Sequence, residues 1–202
     1  IDRAKIFVFN GGIDTSRFRD ENAPRIYSLV FAGRFDTNKG PFRVLEIIKR
    51  IITEAPDIKC VMLGEGELRK SFESKVIEEG LSKNIDCFGH VTNPEIYFRQ
   101  SKIFVLPSTN EGLSTAMLES MGCGCVPVVS NVGNTSEALK NNLNGFLIEH
   151  FDDIGSFANS ILILLGDKQK WNDFSIEGVK IVSEHYSYKV QSGIFRKIIE
   201  RD

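Results

Sequence analysis

Several protein classes are excluded by what this 202-residue sequence lacks. Long apolar runs are absent. The longest uninterrupted aliphatic stretch is Ile161–Leu165, far short of the ~20 residues a membrane-spanning helix needs. The opening Ile1-Asp2-Arg3-Ala4-Lys5 has no apolar core, so no signal peptide is expected. The sequence also opens without an initiator methionine, and a fragment of a longer protein is expected. Cysteine is scarce. Cys60 and Cys87 sit in apolar, strand-like runs, and Cys123 and Cys125 form a lone C-x-C. This is no disulfide framework, and reduced thiols in a cytosolic protein are expected. His90, His150 and His185 show no ligand spacing with these cysteines, so no metal site is expected. Neither sign of charge is in excess: 25 Lys and Arg stand against 27 Asp and Glu, a net charge of −2. No global basic field exists to drive nucleic-acid binding, so any anionic ligand must be held by local groups.

What is present is alternation, without repeats or low-complexity segments. Short apolar runs at Ile26–Ala32, Ile58–Leu63, Ile85–Phe88, Ile103–Leu106, Val126–Val129 and Gly145–Ile148 read as strands. Between them, helical spacing covers Pro41–Ala55, Glu67–Gly80, Asn93–Gln100, Ser114–Met121 and Thr135–Lys140. Helices fill the remainder, at Asp153–Leu165, Lys168–Glu184 and Tyr188–Arg201. Strands separated by helices predict an α/β fold with a mostly parallel sheet and helices on both faces. Continuous rather than alternating apolar runs fit strands buried on both sides. At this length one large domain is expected. Ligands on such sheets sit beyond the carboxyl ends of the strands, so the segments after each strand matter most.

After the first strand comes Gly33-Arg34-Phe35-Asp36-Thr37-Asn38-Lys39-Gly40. Gly33 lets the backbone approach a ligand. Arg34 and Lys39 place two cations on one loop beside a helix start at Pro41, which suits an anion and equally suits a solvated loop. After the second comes Gly64-Glu65-Gly66-Glu67-Leu68-Arg69. Arg69 stands where a dinucleotide fingerprint needs its third glycine, and two glutamates would repel a pyrophosphate, so a plain strand-to-helix turn is expected. Gly89-His90-Val91-Thr92 follows the third strand and reads alone as a loop. Pro107-Ser108-Thr109-Asn110-Glu111-Gly112-Leu113-Ser114-Thr115 follows the fourth. Ser114 is a plausible N-cap, and free amides at the helix start suit a diphosphate. Glu111 lies just before that helix and Glu119 on its second turn. Eight residues of pure helix would separate them by about 12 Å. Two carboxylates flanking an anion site suit a ligand with hydroxyls at both ends, such as a sugar nucleotide. A capped helix with two surface glutamates is the bland alternative.

The ordered set Gly33-Arg34 with Lys39-Gly40, Gly89-His90-Val91, Pro107-Ser108 leading into Glu111-x7-Glu119, Gly122-Cys123-Gly124-Cys125-Val126-Pro127-Val128-Val129, Gly133 with Glu137, and Asn144-Gly145-Phe146-Leu147 resembles the group 1 retaining glycosyltransferases of the GT-B fold. It resembles their carboxy-terminal, donor-binding domain, over about Asp14 to Ile148. The resemblance implies a Rossmann-like three-layer α/β/α domain, one half of a GT-B fold. Phe9-Asn10-Gly11-Gly12-Ile13-Asp14 looks like the interdomain linker, with Phe9 in place of the family's proline. The implied organisation is a linker and lead-in over 1–25, the nucleotide-sugar domain over 26–185, and a C-terminal helix over 186–202 packing toward an amino-terminal acceptor domain outside this chain.

The implied activity is metal-independent transfer of a sugar, with retention, from a nucleoside-diphosphate sugar such as a UDP- or GDP-sugar to a glycan or lipid-linked acceptor, as in polysaccharide biosynthesis. Carried over by position, Arg34 and Lys39 would bind the diphosphate beside Gly33, Gly112, Leu113, Ser114 and Thr115. Glu119 would accept from the ribose hydroxyls, backbone around Val91 would meet the base, and Glu111 would be the catalytic-site residue on the transferred sugar. Leu113-Ser114 stands where the family often has Phe-Gly, and the bulkier Ser114 and Thr115 bear on donor choice. No Asp-x-Asp motif occurs, so the two cations and the Ser114 helix end would replace a metal. No cofactor and no nucleic-acid partner are implied. The implied location is the cytoplasm, with peripheral association of the full-length protein at the cytoplasmic membrane face. The rival readings are a non-transferase of the same fold, of epimerase or phosphorylase type, an NAD-binding Rossmann domain, and a response-regulator-like module. The last would need an acidic cluster where Arg34 and Lys39 flank Asp36.

Overall fold

The computed structural model describes residues 11–200. Phe9 and Asn10 of the expected linker lie outside the described residues. Six strands, β1 (Tyr27–Ala32), β2 (Cys60–Leu63), β3 (Ile85–Phe88), β4 (Ser101–Leu106), β5 (Val126–Ser130) and β6 (Phe146–Ile148), form one sheet in the order β3-β2-β1-β4-β5-β6. Every pairing in it is parallel. The helices are α1 (Pro41–Ile51), α2 (Arg69–Glu78), α3 (Pro94–Arg99), α4 (Thr115–Gly122), α5 (Thr135–Ala138), α6 (Ile154–Gly166), α7 (Lys168–His185) and α8 (Tyr188–Ile199). The sheet is thus the α/β arrangement the alternation predicts, wholly rather than mostly parallel, and it is Rossmann-like as the resemblance implies.

The apolar runs explain the sheet. β2 and β5 are buried along their whole length, because helices cover both faces. On one face α1 packs against α2 and α6, and on the other α4 packs against α3 and α7. In α1, Val44, Leu45, Ile47, Ile48 and Ile51 are all turned inward. Burying each such side chain stabilises the fold by roughly 1.5–3 kcal/mol. Polar caps fix several helix starts. Asp153 accepts from the Ser156 N–H at 3.0 Å, Asp167 from the Lys170 N–H at 2.9 Å, and Ser187 from the Val190 N–H at 3.4 Å.

Two boundaries differ from the sequence reading for identifiable reasons. α1 stops at Ile51 rather than Ala55: the Glu54 and Ala55 N–H groups both donate to the Ile51 carbonyl at 2.9 Å, closing a turn, and Pro56 keeps the helix from resuming. β4 begins at Ser101 rather than Ile103. Ser101 is polar but buried, its hydroxyl donating to the Tyr97 carbonyl at 2.7 Å. The lead-in segment and the last helix meet: the Ile13 N–H donates to the Tyr186 carbonyl at 2.8 Å, and the Tyr188 N–H to the Ile13 carbonyl at 2.9 Å. Among the described residues, no helix is long and apolar enough to cross a membrane. The four cysteines are free thiols.

Strand order reverses between β1 and β4, which pair directly from Tyr27–Ser101 to Val30–Phe104. The chain leaves β1 toward one side of the sheet and β4 toward the other. A crevice opens at the carboxyl ends of the strands there.

Candidate functional site

A cavity of about 370 Å³ occupies that crevice. Gly33 and Arg34 line it from the β1–α1 loop, Gly64 and Glu65 from the β2–α2 turn, His90 and Val91 from beyond β3, and Ala116 and Glu119 from α4. Pro94 and Phe98 of α3 complete an apolar wall. The floor is backbone against backbone. Gly33 donates to the Leu63 carbonyl at 3.0 Å and Phe35 to the Glu65 carbonyl at 2.8 Å. Gly64 has φ +136°, and a Cβ there would lie 1.9 Å from the Gly33 carbonyl oxygen. Only glycine fits. The segment expected to be a plain turn therefore braces the first loop and walls the cavity.

The two cations of the β1–α1 loop are organised by one carboxylate. Asp36 accepts from the Lys39 N–H at 2.8 Å and from the Arg34 guanidinium. Burial works against its charge, yet these bonds hold the Asp36 carboxyl below its ordinary range. Arg34 stays mostly exposed at the cavity mouth. Lys39 lies over Gly33 and is already engaged. Its Nζ donates to both oxygens of Glu111, at 2.6 and 2.8 Å. The Glu111 side chain is only 8% exposed. Two residues 72 positions apart in sequence thus form a bidentate ion pair at the switch point.

α4 begins as its sequence predicts. The Ser114 hydroxyl caps it, accepting from the Met117 N–H at 3.4 Å. The amides of Thr115 and Ala116, on the first turn, have no intrahelical acceptor. Leu113 turns its side chain to the core, while Gly112 and Thr115 are exposed. Glu119 faces the cavity from the next turn. Burial pushes its carboxyl up to about 7. Arg17 opposes the shift, and Glu95 adds to it. Arg17 is itself anchored to Glu95 at 2.8 Å.

The arrangement is a half-apolar slot with a desolvated carboxylate on one side of a helix N-terminus and a Lys–Glu pair on the other. Among the described residues, no group of three or more His, Cys, Asp or Glu side chains is placed to hold a metal ion. The sequence profile of the glycosyl transferases group 1 family matches residues 13–180. The chain belongs to that family.

Its relatives are named glycosyltransferases. The chain is 32% identical over 187 residues to the UDP-Gal:alpha-D-GlcNAc-diphosphoundecaprenol alpha-1,3-galactosyltransferase of Escherichia coli, covering 83% of this chain and 47% of that enzyme. The chain spans about half the length of the curated relatives it matches. Among solved structures, it is similar to the C-terminal domain of the group 1 glycosyl transferase LpcC from Francisella tularensis. The TM-score is 0.78 and the identity 24%, over 88% of this chain and all of that one. It is also similar in fold to Anabaena HepE in complex with UDP and glucose, with a TM-score of 0.84 and 16% identity, over 96% of this chain and 56% of that one. The fold is that of a GT-B domain.

In this member of the group 1 family the structure gathers Gly33, Arg34, Val91 and Glu119 around the cavity. Lys39 and Glu111 stand together beside Gly33, outside the cavity wall. Gly112, Ser114 and Thr115 edge the α4 end. Three contributors were given no role in the sequence reading: Arg17 near Glu119, which no motif contains, and His90 in the wall and Gly133, which enter only as parts of the family pattern. Gly133, at φ +58°, packs beneath Glu111, where a Cβ would meet the Glu111 carbonyl oxygen at 1.7 Å. The Asn134 N–H then donates to the Gly112 carbonyl at 3.0 Å. Gly133 and Glu137 appear in the family pattern, but nothing local shows that their loop supports another.

Proposed function

We propose that this chain is the donor-binding half of a retaining, metal-independent glycosyltransferase that moves a sugar from a nucleoside-diphosphate sugar to a glycan or lipid-linked acceptor. The observation that carries the reading is the order of groups across the switch point: apolar slot, Glu119, α4 N-terminus, Lys39 with Glu111. A nucleotide sugar has the same order of chemistry. The base enters the slot between Val91 and Pro94, and Glu119 accepts from the ribose hydroxyls. The diphosphate crosses over Gly33 to Arg34, Lys39 and the first amides of α4. The transferred sugar then meets Glu111.

The cations supply what the reaction needs. Negative charge grows on the leaving phosphate as the glycosidic bond breaks, and fixed donors aimed there favour the transition state. Charge-assisted hydrogen bonds are worth roughly 1.5–3 kcal/mol each. With attack on the face the phosphate leaves, that phosphate accepts the acceptor's proton, and configuration is retained. Glu111 holds the sugar and supports the electron-poor anomeric carbon. The acceptor domain lies in the part of the protein outside this chain, as does any surface that meets the cytoplasmic membrane face. The fragment therefore binds donor without transferring it.

Calorimetric titration of the chain with UDP, GDP, ADP and NAD, with and without chelator, tests this. One nucleoside diphosphate should bind in chelator, and Glu119→Ala and Arg34→Ala should each weaken it at least tenfold. Binding of NAD alone would overturn the reading, as would full transfer by the isolated chain for the division of labour.

A further inference from the structure

The sugar end of the site depends on two loops from opposite sides of the switch point. Each loop is braced separately. The β1–α1 loop lies on the β2–α2 turn through Gly33–Leu63 and Phe35–Glu65 backbone bonds. The β4–α4 loop rests on Asn134 and on the Ser114 cap. Neither brace fixes the distance from one loop to the other.

That distance is set by a row of polar contacts. Arg43 donates from Nη1 to the Pro107 carbonyl at 2.7 Å and from Nη2 to the Thr37 carbonyl at 3.2 Å. The Thr109 N–H donates to the Asn38 carbonyl at 2.9 Å. The Thr109 hydroxyl donates to Asn38 Oδ1 at 2.6 Å, and Asn38 Nδ2 donates to the Asn110 carbonyl at 3.1 Å. The row ends at the Lys39–Glu111 pair. Asn38 uses its carbonyl, its side-chain oxygen and its side-chain amide, all on the opposite loop. Lys39 follows Asn38 directly, and Glu111 follows Asn110.

We propose that Asn38 and Thr109 are positioning residues that clasp the two loops and so set the separation between the diphosphate-holding Lys39 and the sugar-holding Glu111. This rests on the donor-site reading above. Neither residue touches donor. The clasp matters most to the sugar, because the sugar is the part of the donor that meets Glu111, whose place beside Lys39 the clasp sets. A nucleoside diphosphate alone also contacts the slot, Glu119 and Arg34, and tolerates a looser Glu111.

The test separates these contributions. Binding of UDP, UDP-glucose, UDP-galactose, UDP-N-acetylglucosamine, GDP and GDP-mannose to the chain is measured by calorimetry for wild type, Thr109→Val, Thr109→Ser and Asn38→Ala. The quantity read is the affinity of each nucleotide sugar relative to its own nucleoside diphosphate. Thr109→Val keeps the shape and the backbone bond but loses the hydroxyl. It should lower that ratio about 5–10-fold for the preferred donor, the scale of one or two lost hydrogen bonds, while the nucleoside diphosphate binds within about twofold of wild type. Asn38→Ala should lower the ratio further, and Thr109→Ser should restore it. An unchanged ratio, an equal loss for diphosphate and donor, or failure of serine to rescue overturns the clasp and leaves the donor-site reading intact. Absence of binding by any nucleotide to wild type overturns both.

Discussion

Replacing Glu119 by glutamine should make the protein more stable and a poorer nucleotide binder. The reason lies in where the carboxylate sits. Glu119 is half-buried against the slot, and burial lifts it from its ordinary 4.5 to about 7, with Glu95 adding to the shift and Arg17 opposing it. The folded state therefore holds a proton that the unfolded chain has already released between these two values. Stability from this group is fully present below pH 4.5 and is lost as pH rises through 7. At roughly 1.4 kcal/mol per pKa unit, the ceiling is about 3.5 kcal/mol. Glu119 keeps partial contact with water, and screening reduces this to about 1–2 kcal/mol. Glu119→Gln removes the loss. At pH 8 it should melt about 2–8 °C above wild type, at 2–4 °C per kcal/mol for a domain of this size. At pH 4.5 the two should coincide. Nucleotide affinity should move the other way. A carboxylate accepting from ribose hydroxyls is worth roughly 1.5–3 kcal/mol, so UDP or GDP should bind about 10–100-fold more weakly to the variant at pH 8. Wild-type affinity should also rise between pH 6 and 8, as Glu119 ionises, and variant affinity should not. Thermal melts and titrations at both ends of the pH range decide it. A melting difference that is the same at pH 4.5 and pH 8 would refute the argument, as would a variant that binds as tightly as wild type.

Other expectations follow from single contacts. Glu111→Gln weakens the hold on Lys39, so nucleoside-diphosphate affinity should rise about 3–10-fold, on the scale of a charge-assisted bond, while transfer by the full-length enzyme falls; an unchanged affinity would show that the pair does not compete with the diphosphate. Gly133→Ala places a methyl against the Glu111 carbonyl at positive φ, and should cost about 1–3 kcal/mol in denaturant melts and weaken donor binding. Burial lifts the Cys60 and Cys125 thiols well above their ordinary range, and pushes Cys87 and Cys123 up to about 12. Cys60, Cys123 and Cys125 are buried and Cys87 is half-buried; a disulfide reagent at pH 8 should label the three buried thiols only after unfolding, and their rapid labelling in the native state would contradict their packing.

The strands were legible because a strand covered on both faces must be apolar throughout. The runs at Val126 and Ile103 announce themselves for that reason. The bounds failed where a polar residue was buried through a particular partner, as Ser101 is by Tyr97. The site divides in the same way. Ser114 as a cap and Glu119 on the helix face are local facts of spacing, and the sequence carries them. That Lys39 meets Glu111, that Asn38 grips Thr109, and that Gly133 lies beneath Glu111 are facts about which loops the sheet order makes neighbours. Propensity and periodicity hold no information about that order. Gly64-Glu65-Gly66 shows the limit well: judged alone it is a failed fingerprint, and only the position of Gly33 above it reveals why glycine is needed.

The pairing of β1 with β4 also has a kinetic meaning. Asn38 and Thr109 are 71 positions apart, and Lys39 and Glu111 are 72. Bringing such distant points together costs on the order of 4 kcal/mol of chain entropy, and no contact at the site repays this until the central strands have joined. Chains dominated by such distant pairings fold slowly. The crevice is therefore expected to be among the last parts of the molecule to acquire its shape during refolding, after the helices and the neighbouring β1–β2 pair. Recovery of nucleotide binding would lag recovery of helical signal, and that lag would time the closure of the sheet across its centre.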